Sequence, residues 1–203
     1  METHALIIFS ATVVPLVCTP GPDMLFIASQ AVSGGASAGL LATAGICLGY
    51  FVHSILVALG LAAVVAASPI LFEVIRWIGI IYLAYLASKL VRSAFRTGGL
   101  TVSANKAKSQ LRKGFVTALL NPKGMMIYVA ILPQFMDNHG SVTMQAAILS
   151  ATFISWCALI YTIIALMVSV MGSKVGLSDT RRRIVDGCAG GMILMAAGFM
   201  AAT

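Results

Sequence analysis

The chain has 203 residues, of which 60% are hydrophobic and only 9% are charged. A soluble domain usually carries about a quarter charged residues, so this composition excludes a water-facing exterior and predicts that most of the surface contacts lipid. The formal net charge of +7 would suit nucleic-acid binding. However, eleven of the thirteen basic residues lie in two connectors between apolar segments, as in membrane proteins, and no nucleic-acid partner is expected.

Six apolar windows are each long enough for a transmembrane helix, which needs about 20 mostly apolar residues. They cover residues 5–31, 39–67, 71–91, 114–135, 144–171 and 184–202. The windows are continuously apolar rather than alternating, so they predict helices and not the strands of a barrel. The sequence therefore predicts an all-α integral membrane protein with six transmembrane helices, a single domain over residues 1–203 embedded in the lipid bilayer.

The first and second helices are divided at residues 33–37, a cluster of small and polar residues typical of a turn. No Asp, Glu, Lys or Arg occurs in residues 25–71, so this stretch must contain more than one crossing. The next division is at Pro69, because proline disfavours a continued helix. In the second helix, Gly45 and Gly49 have the spacing that permits close approach of a neighbouring helix.

The distribution of basic residues among the connectors predicts the orientation of the helices. The connectors after the third and fifth helices hold eleven basic residues, whereas those after the second and fourth hold one. Basic connectors stay in the cytoplasm. Because the number of spans is even, both termini are expected outside the cytoplasm.

Two charged residues lie well inside predicted helices, Asp23 in the first and Lys123 in the fourth. Burying such a group costs about 2.5–3.5 kcal/mol on insertion scales, so we expect each charge to serve a purpose. Each charge also stands beside residues that break helices. The two motifs are Pro20-Gly21-Pro22-Asp23 and Asn121-Pro122-Lys123.

These breaks predict a binding site for a substrate or an ion within the bilayer. Proline lacks an amide hydrogen and clashes with the preceding turn, and glycine adds backbone freedom. The freed carbonyls and amides are tolerated at membrane depth only where protein or a water-filled cavity satisfies them, as in the broken helices of secondary transporters. The predicted site residues are Pro20, Gly21, Pro22, Asp23, Asn121, Pro122 and Lys123. The alternative is a pair of mere kinks, with Asp23 and Lys123 forming a structural ion pair.

The two breaks also indicate an internal repeat. Aligning Pro20 with Pro122 pairs Gly21 with Lys123, and each break then begins a three-helix unit. Because three is odd, the second unit must be inverted relative to the first, the inverted-repeat plan of many secondary transporters. We expect repeat 1 at residues 1–92, a basic cytoplasmic connector at 93–113 and repeat 2 at 114–203.

Three further polar residues are candidates for coupling or gating. His53 lies mid-span in the second helix and would titrate near neutral pH; a histidine bonded to a neighbouring helix is the alternative. Glu73 and Arg76 have the spacing of a helical pair near the outer end of the third helix, where they would gate a vestibule or form a surface pair. No nucleotide-binding loop is present, and the sequence predicts no cofactor, no metal site and no enzymatic activity.

Several motifs spread along the chain point to one transporter family. They are Pro20-Gly21-Pro22-Asp23, Gly34, Gly35, Gly39, Gly45 and Gly49, then Gly79-Ile80-Ile81-Tyr82-Leu83, Asn121-Pro122-Lys123, Leu132-Pro133-Gln134-Phe135, and Arg181-Arg182-Arg183 before a glycine-rich last helix. Together they resemble the LysE/RhtB translocators, the lysine and homoserine/threonine exporters. That family often has Asn where this chain has Asp23.

The resemblance implies a secondary transporter of the bacterial inner membrane that exports amino acids or related metabolites against proton entry. In this interpretation, alternating access occurs around the two broken helices. Asp23 meets an ammonium group or a coupling proton, and Lys123 meets a carboxylate. The identity of the amino acid, the coupling ion and the number of protomers stay open, a homo-oligomer included.

Two other functions would share the membrane character. A divalent-metal exporter would need a His-rich loop or an intramembrane carboxylate cluster, and the sequence contains neither. A membrane thiol-electron carrier is suggested by Cys18, just before the first break. It would need a partner cysteine near Asn121 and Pro122 in the sequence, and none occurs there.

Overall fold

The computed structural model describes residues 3–60, 68–95, 104–136 and 141–174, together with eight positions between 184 and 198. Within these residues all regular structure is helical and no strand occurs, which confirms the predicted all-α class for this part of the chain. The sixth predicted helix, at 184–202, falls mostly outside the described residues, although the eight positions described there are helical.

Six α-helices follow one another along the described chain. They are α1 (Thr3–Cys18), α2 (Pro22–Ala58), α3 (Pro69–Ala94), α4 (Ala104–Leu119), α5 (Pro122–Met126) and α6 (Val142–Lys174). A π-helical turn at Ile127–Ile131 and a 3-10 turn at Leu132–Phe135 continue α5. The gaps after Cys18 and after Leu119 are the two breaks that the proline motifs predict.

α2 folds back on itself at Gly35, whose backbone has φ 74° and ψ −173°, a region that essentially only glycine adopts. A Cβ atom added at Gly39 would lie 2.9 Å from the Cβ of Ala31. Eight residues apart on a straight helix, these positions would be separated by about 12 Å. The chain therefore forms two antiparallel arms, residues 22–34 and 36–58, and the division predicted at 33–37 is confirmed.

Two described helices are long and apolar enough to cross a membrane, residues 22–58 and 142–170, and a pair bent by 49° (Ser109–Leu119 with Pro122–Phe135) makes a third. Because α2 folds back at Gly35, the part of it that is long enough to cross is the second arm, which at 1.5 Å per residue is about 35 Å long. This length matches the apolar thickness of a bilayer, about 30 Å.

The second arm of α2 packs against both α4 and α6. A Cβ atom at Gly45 would overlap the backbone carbonyl of Leu111 in α4, and one at Gly49 would lie 2.8 Å from the carbonyl oxygen of Phe115. Gly114 meets the backbone of Ala42 in the same way from the α4 side. The predicted close approach at Gly45 and Gly49 is thus confirmed: small residues let two helix backbones touch, as in other membrane bundles.

α4 begins at Ala104, ten residues before the predicted helix at 114–135. Half of the segment expected as a connector is therefore helical. Residues 104–113 are rich in Ala, Lys, Gln, Leu and Arg, which favour helix but lower the hydropathy. A window chosen by hydropathy detects only the apolar part of such a helix, so its polar first turns are missed.

Candidate functional site

At the first break the chain is unwound over three residues between α1 and α2. Pro20 is exposed, whereas Gly21 is buried and fully extended, with φ −160° and ψ 179°. Pro22 is the first residue of α2, the position at which a helix does not require an amide hydrogen. Asp23 follows it in the first turn.

The second break has the same construction with two unwound residues. Asn121 is extended, and its side-chain Oδ1 accepts a hydrogen bond from the backbone N–H of Lys123 at 3.1 Å. This is the N-cap arrangement that stabilises a helix start. Pro122 is the first residue of α5, so Asn121 and Pro122 together define where the second half-helix begins.

The helix starts give a register that differs from the predicted pairing of Pro20 with Pro122. Pro22 and Pro122 both occupy the first helical position, while Pro20 lies in the unwound segment. Asp23 and Lys123 are therefore equivalent, each at the second helical position. The first motif contains two prolines, and only the backbone conformation shows that Pro22, not Pro20, begins α2.

Asp23 is buried, with 2% of its surface exposed. The hydroxyl of Tyr50, on the second arm of α2, donates a hydrogen bond to its Oδ2. Lys123 and Asn121 are both close enough to interact with the carboxylate. The first arm of α2, which is the half-helix that follows the first break, thus directs the carboxylate of Asp23 toward the second break and toward the second arm of α2.

Three buried side-chain atoms have no hydrogen-bond partner among the residues that the structure describes. They are Oδ1 of Asp23, Nδ2 of Asn121 and Oγ of Ser150. An unpaired buried polar atom costs about 1–3 kcal/mol, and native proteins rarely carry one without a reason. Two of the three belong to the facing breaks and are complementary, an acceptor on Asp23 and a donor on Asn121, and the two side chains interact with each other. A polar ligand that supplies both a donor and an acceptor can bind here by replacing that contact.

Lys123 crosses from the second break to the first. Its Nζ donates a hydrogen bond to the carbonyl oxygen of Thr19 at 2.7 Å, at the end of α1, where the carbonyls carry partial negative charge. A Cβ atom at Gly21 would lie 3.4 Å from Cδ of Lys123, so glycine leaves room for this side chain. The side-chain hydrogen bonds of Asp23 and Lys123 to Tyr50 and Thr19 are direct contacts, whereas the two charges attract each other without forming a direct ion pair among the described contacts.

An aromatic cluster surrounds Tyr50 beside the breaks. Its ring lies edge-on to Phe153 of α6, with centroids 5.0 Å apart, and 6.2 Å from the ring of Tyr128. Tyr128 also stacks on His53 at 5.5 Å and shares a hydrogen bond of 3.1 Å with the hydroxyl of Ser54. The cluster packs residues of α2, of α6 and of the π-helical turn around Tyr50, the hydrogen-bond partner of Asp23.

His53 is buried next to this cluster, and its Nε2 lies 3.4 Å from the carbonyl oxygen of Ala118 in α4. The structure thus places it against a neighbouring helix, the alternative that the sequence left open. Glu73 and Arg76 belong to α3, but their side chains lie outside the described residues, so a gating role for them stays a prediction.

Tyr50 and Ser150 were missed by the sequence analysis. A single tyrosine or serine in an apolar helix is ordinary, and nothing local marks either one. The turn at Gly35 is the feature that could have indicated Tyr50 as a partner of Asp23, because a hairpin brings residues on either side of its turn together in pairs. Asp23 and Tyr50 lie at comparable distances from Gly35 along the two arms.

The described part of the chain contains no ligand cluster for a metal exporter, whereas two cysteines, Cys18 and Cys157, are close enough to Lys123 to interact with it. No group of three His, Cys, Asp or Glu side chains that could hold a metal ion occurs there. Cys18, Cys47, Cys157 and Cys188 are all free thiols.

Comparison with known proteins agrees with the resemblance of the motifs. Three relatives are each named leucine efflux protein: one from Klebsiella pneumoniae, 30% identical, covering 74% of this chain and 73% of its own length; one from an Enterobacter species, 29% identical, covering 72% and 70%; and one from Salmonella choleraesuis, 26% identical, covering 84% of each. No solved structure matches the chain with statistical significance. Residues 14–203 match the LysE type translocator family, and the protein belongs to that family.

Proposed function

We propose that this protein exports amino acids or related small metabolites from the bacterial cytoplasm across the inner membrane, driven by proton entry. Membership of a translocator family supports transport, and the relatives named leucine efflux protein support leucine or a similar amino acid as the cargo. The observation that carries the proposal is the buried donor–acceptor pair, Oδ1 of Asp23 facing Nδ2 of Asn121, where the two helix breaks meet.

The two breaks supply groups that complement an amino acid. Oδ1 of Asp23 accepts hydrogen bonds, so it suits an ammonium group or a coupling proton. Nδ2 of Asn121 donates, and Lys123 carries a positive charge, so together they suit a carboxylate. A ligand bearing both groups would give each of these side chains a hydrogen bond in a low-dielectric site, where such bonds are strong.

Alternating access would require the contact between Lys123 and Thr19 to open and close. This bond ties the second half-helix to the end of α1 across the break. A substrate carboxylate that attracts Lys123 would weaken the tie and release the two broken helices to move relative to each other. Binding and movement are then coupled because one ammonium group serves both contacts.

The proposed architecture is six transmembrane helices in two inverted three-helix repeats, residues 1–92 and 114–203, with both termini outside the cytoplasm. The equivalent helix starts at Pro22 and Pro122 support the repeat. The basic connector at 93–113, of which residues 104–113 begin α4, would lie in the cytoplasm.

Efflux from cells preloaded with leucine, followed by a panel of other amino acids and dipeptides, tests this function. We expect Asp23→Asn and Lys123→Ala each to abolish export, because each removes one of the two charges that complement the substrate. Both variants should still reach the membrane in normal amounts. Arg112→Ala is the matched control, because it removes an exposed basic residue of α4 away from the breaks. Wild-type export by both Asp23→Asn and Lys123→Ala would refute the proposal.

A further inference from the structure

Tyr50 contacts both helix breaks at once. Its hydroxyl donates to Oδ2 of Asp23 in the first half-helix. Its ring lies against Gly124 in the second half-helix, where an added Cβ atom would be 3.1 Å from both the ring Cζ and the hydroxyl oxygen. A single side chain of the second arm of α2 therefore contacts the half-helices that follow both breaks.

The position of Tyr50 is determined by packing on several sides. Gly49, the preceding residue, lies against the backbone of α4 at Phe115. The ring is enclosed by Phe153 and Tyr128, and only 2% of the residue is exposed. Because an enclosed aromatic ring has little freedom to change rotamer, the hydroxyl is held at a defined place beside Asp23.

This bond determines what the carboxylate offers to a ligand. With Oδ2 occupied by the hydroxyl of Tyr50, Oδ1 is the carboxylate oxygen left to face the side-chain amide of Asn121, which interacts with the carboxylate. We propose that Tyr50 is a positioning residue for substrate binding: it orients Asp23 so that Oδ1 and the Asn121 amide form one donor–acceptor pair that receives the ammonium and carboxylate groups of an amino acid. This inference rests on the proposed function.

Transport kinetics of Tyr50→Phe test the inference. The substitution keeps the ring and its packing but removes the hydroxyl, so the carboxylate of Asp23 is no longer oriented. A hydrogen bond to a charged group corresponds to a change of about ten-fold or more in an equilibrium constant. We expect KM for export to rise by about ten-fold with little change in the maximal rate.

A purely structural role for Tyr50 predicts a different result. Loss of packing would lower the amount of protein and the maximal rate while leaving KM unchanged, and that outcome would overturn the inference. Tyr82→Phe is the matched control, because the Tyr82 hydroxyl donates to the carbonyl of Lys113 at 3.3 Å, away from the breaks. Its KM should equal that of the wild type.

Gly124→Ala provides a second route to the same contact. The added methyl group overlaps the Tyr50 ring and must push it from its place, so the hydroxyl moves relative to Asp23. We expect Gly124→Ala to raise KM as Tyr50→Phe does, and the double variant to show no further rise, because both act through one hydrogen bond. Additive effects in the double variant would contradict the inference.

A chemical measurement separates this inference from the proposed function, because it does not depend on transport. Dicyclohexylcarbodiimide adds to carboxyl groups in apolar surroundings, and mass spectrometry of the purified full chain locates the adduct. We expect Asp23 to be modified faster in Tyr50→Phe than in the wild type, because Oδ2 has lost its partner. In Tyr82→Phe, Asp23 should be modified at the wild-type rate. Equal rates in wild type and Tyr50→Phe would overturn the positioning role, whether or not any amino acid is exported.

Discussion

At the scale of single residues, Asn121 performs two tasks with the two ends of one amide. Its Oδ1 caps α5 through the backbone N–H of Lys123, and its Nδ2 faces the carboxylate of Asp23. The first task stabilises the fold, and the second leaves a donor available for a ligand. These tasks can be separated because a hydroxyl can replace the cap acceptor but does not reproduce the amide donor.

Replacement of Asn121 by Ser and by Ala separates the cap from the donor. Both variants remove the amide, so we expect both to lose export to a similar extent. Serine still caps a helix, whereas alanine does not, so only Asn121→Ala should lower the free energy of unfolding, by about 1 kcal/mol. Efflux and SDS-induced unfolding of the purified protein in mixed micelles measure the two effects. Wild-type export by Asn121→Ser would show that the free amide has no role in transport.

At the scale of the elements, α6 shows how one helix separates lipid from the protein interior. Leu149, Phe153, Cys157, Tyr161 and Ala165 recur every four residues and are buried. On another face, three large apolar side chains with the same spacing are exposed; they are Leu159, Ile163 and Met167. Both faces are apolar, so what distinguishes them is packing against the second arm of α2 and not polarity.

The hairpin in α2 depends on the backbone conformation of Gly35 more than on its packing. A Cβ atom there would meet nothing within 4 Å, so Gly35→Ala introduces strain without a steric clash. A residue other than glycine in this region of backbone space costs about 1–3 kcal/mol, and we expect the free energy of unfolding in mixed micelles to fall by that amount.

Gly191→Ala is the control for this substitution. An added Cβ atom at Gly191 also meets nothing within 4 Å, but Gly191 does not have a positive φ. Its stability should equal or exceed that of the wild type, because alanine favours helix. Equal stability of Gly35→Ala and the wild type would mean that the hairpin does not require the observed conformation.

At the scale of the whole molecule, the distribution of charge implies an orientation in the membrane. The apolar exterior of the described helices suits lipid, and eleven of the thirteen basic residues lie either between Lys89, near the end of α3, and Lys113, in the first turns of α4, or between Lys174, at the end of α6, and Arg183. If those two segments are cytoplasmic, six crossings place both termini on the opposite side.

Fusions of alkaline phosphatase and of green fluorescent protein test this orientation. Alkaline phosphatase is active only outside the cytoplasm. Green fluorescent protein does not fluoresce when it is exported in unfolded form, so its fluorescence reports a cytoplasmic position. We expect phosphatase activity after residue 203 and fluorescence after a fusion in the connector at 93–103. Fluorescence at residue 203 would contradict an even number of crossings with this orientation.

Several features were predictable because they depend on local chemistry. Hydropathy identified the apolar helices of the described residues, since a span must be apolar along its whole length. The breaks at Pro20-Gly21-Pro22 and Asn121-Pro122, and the turn near Gly35, followed from residues that act on their own backbone. The motifs built on those residues also indicated the family. Local chemistry did not show whether Pro20 or Pro22 begins the helix, because either proline can occupy the first helical position. Hydropathy also did not detect the first turns of α4, because they are polar.

Composition and motifs are sufficient to indicate a helical membrane protein with a charge beside each of two helix breaks. The partners of those charges, the Tyr50 hydroxyl for Asp23 and the Thr19 carbonyl for Lys123, are visible only in the folded chain. A helix that is apolar on all sides has no polar face from which its rotation about its own axis could be predicted. Close packing of glycine against backbone sets that rotation, and with it the partners of every buried polar group.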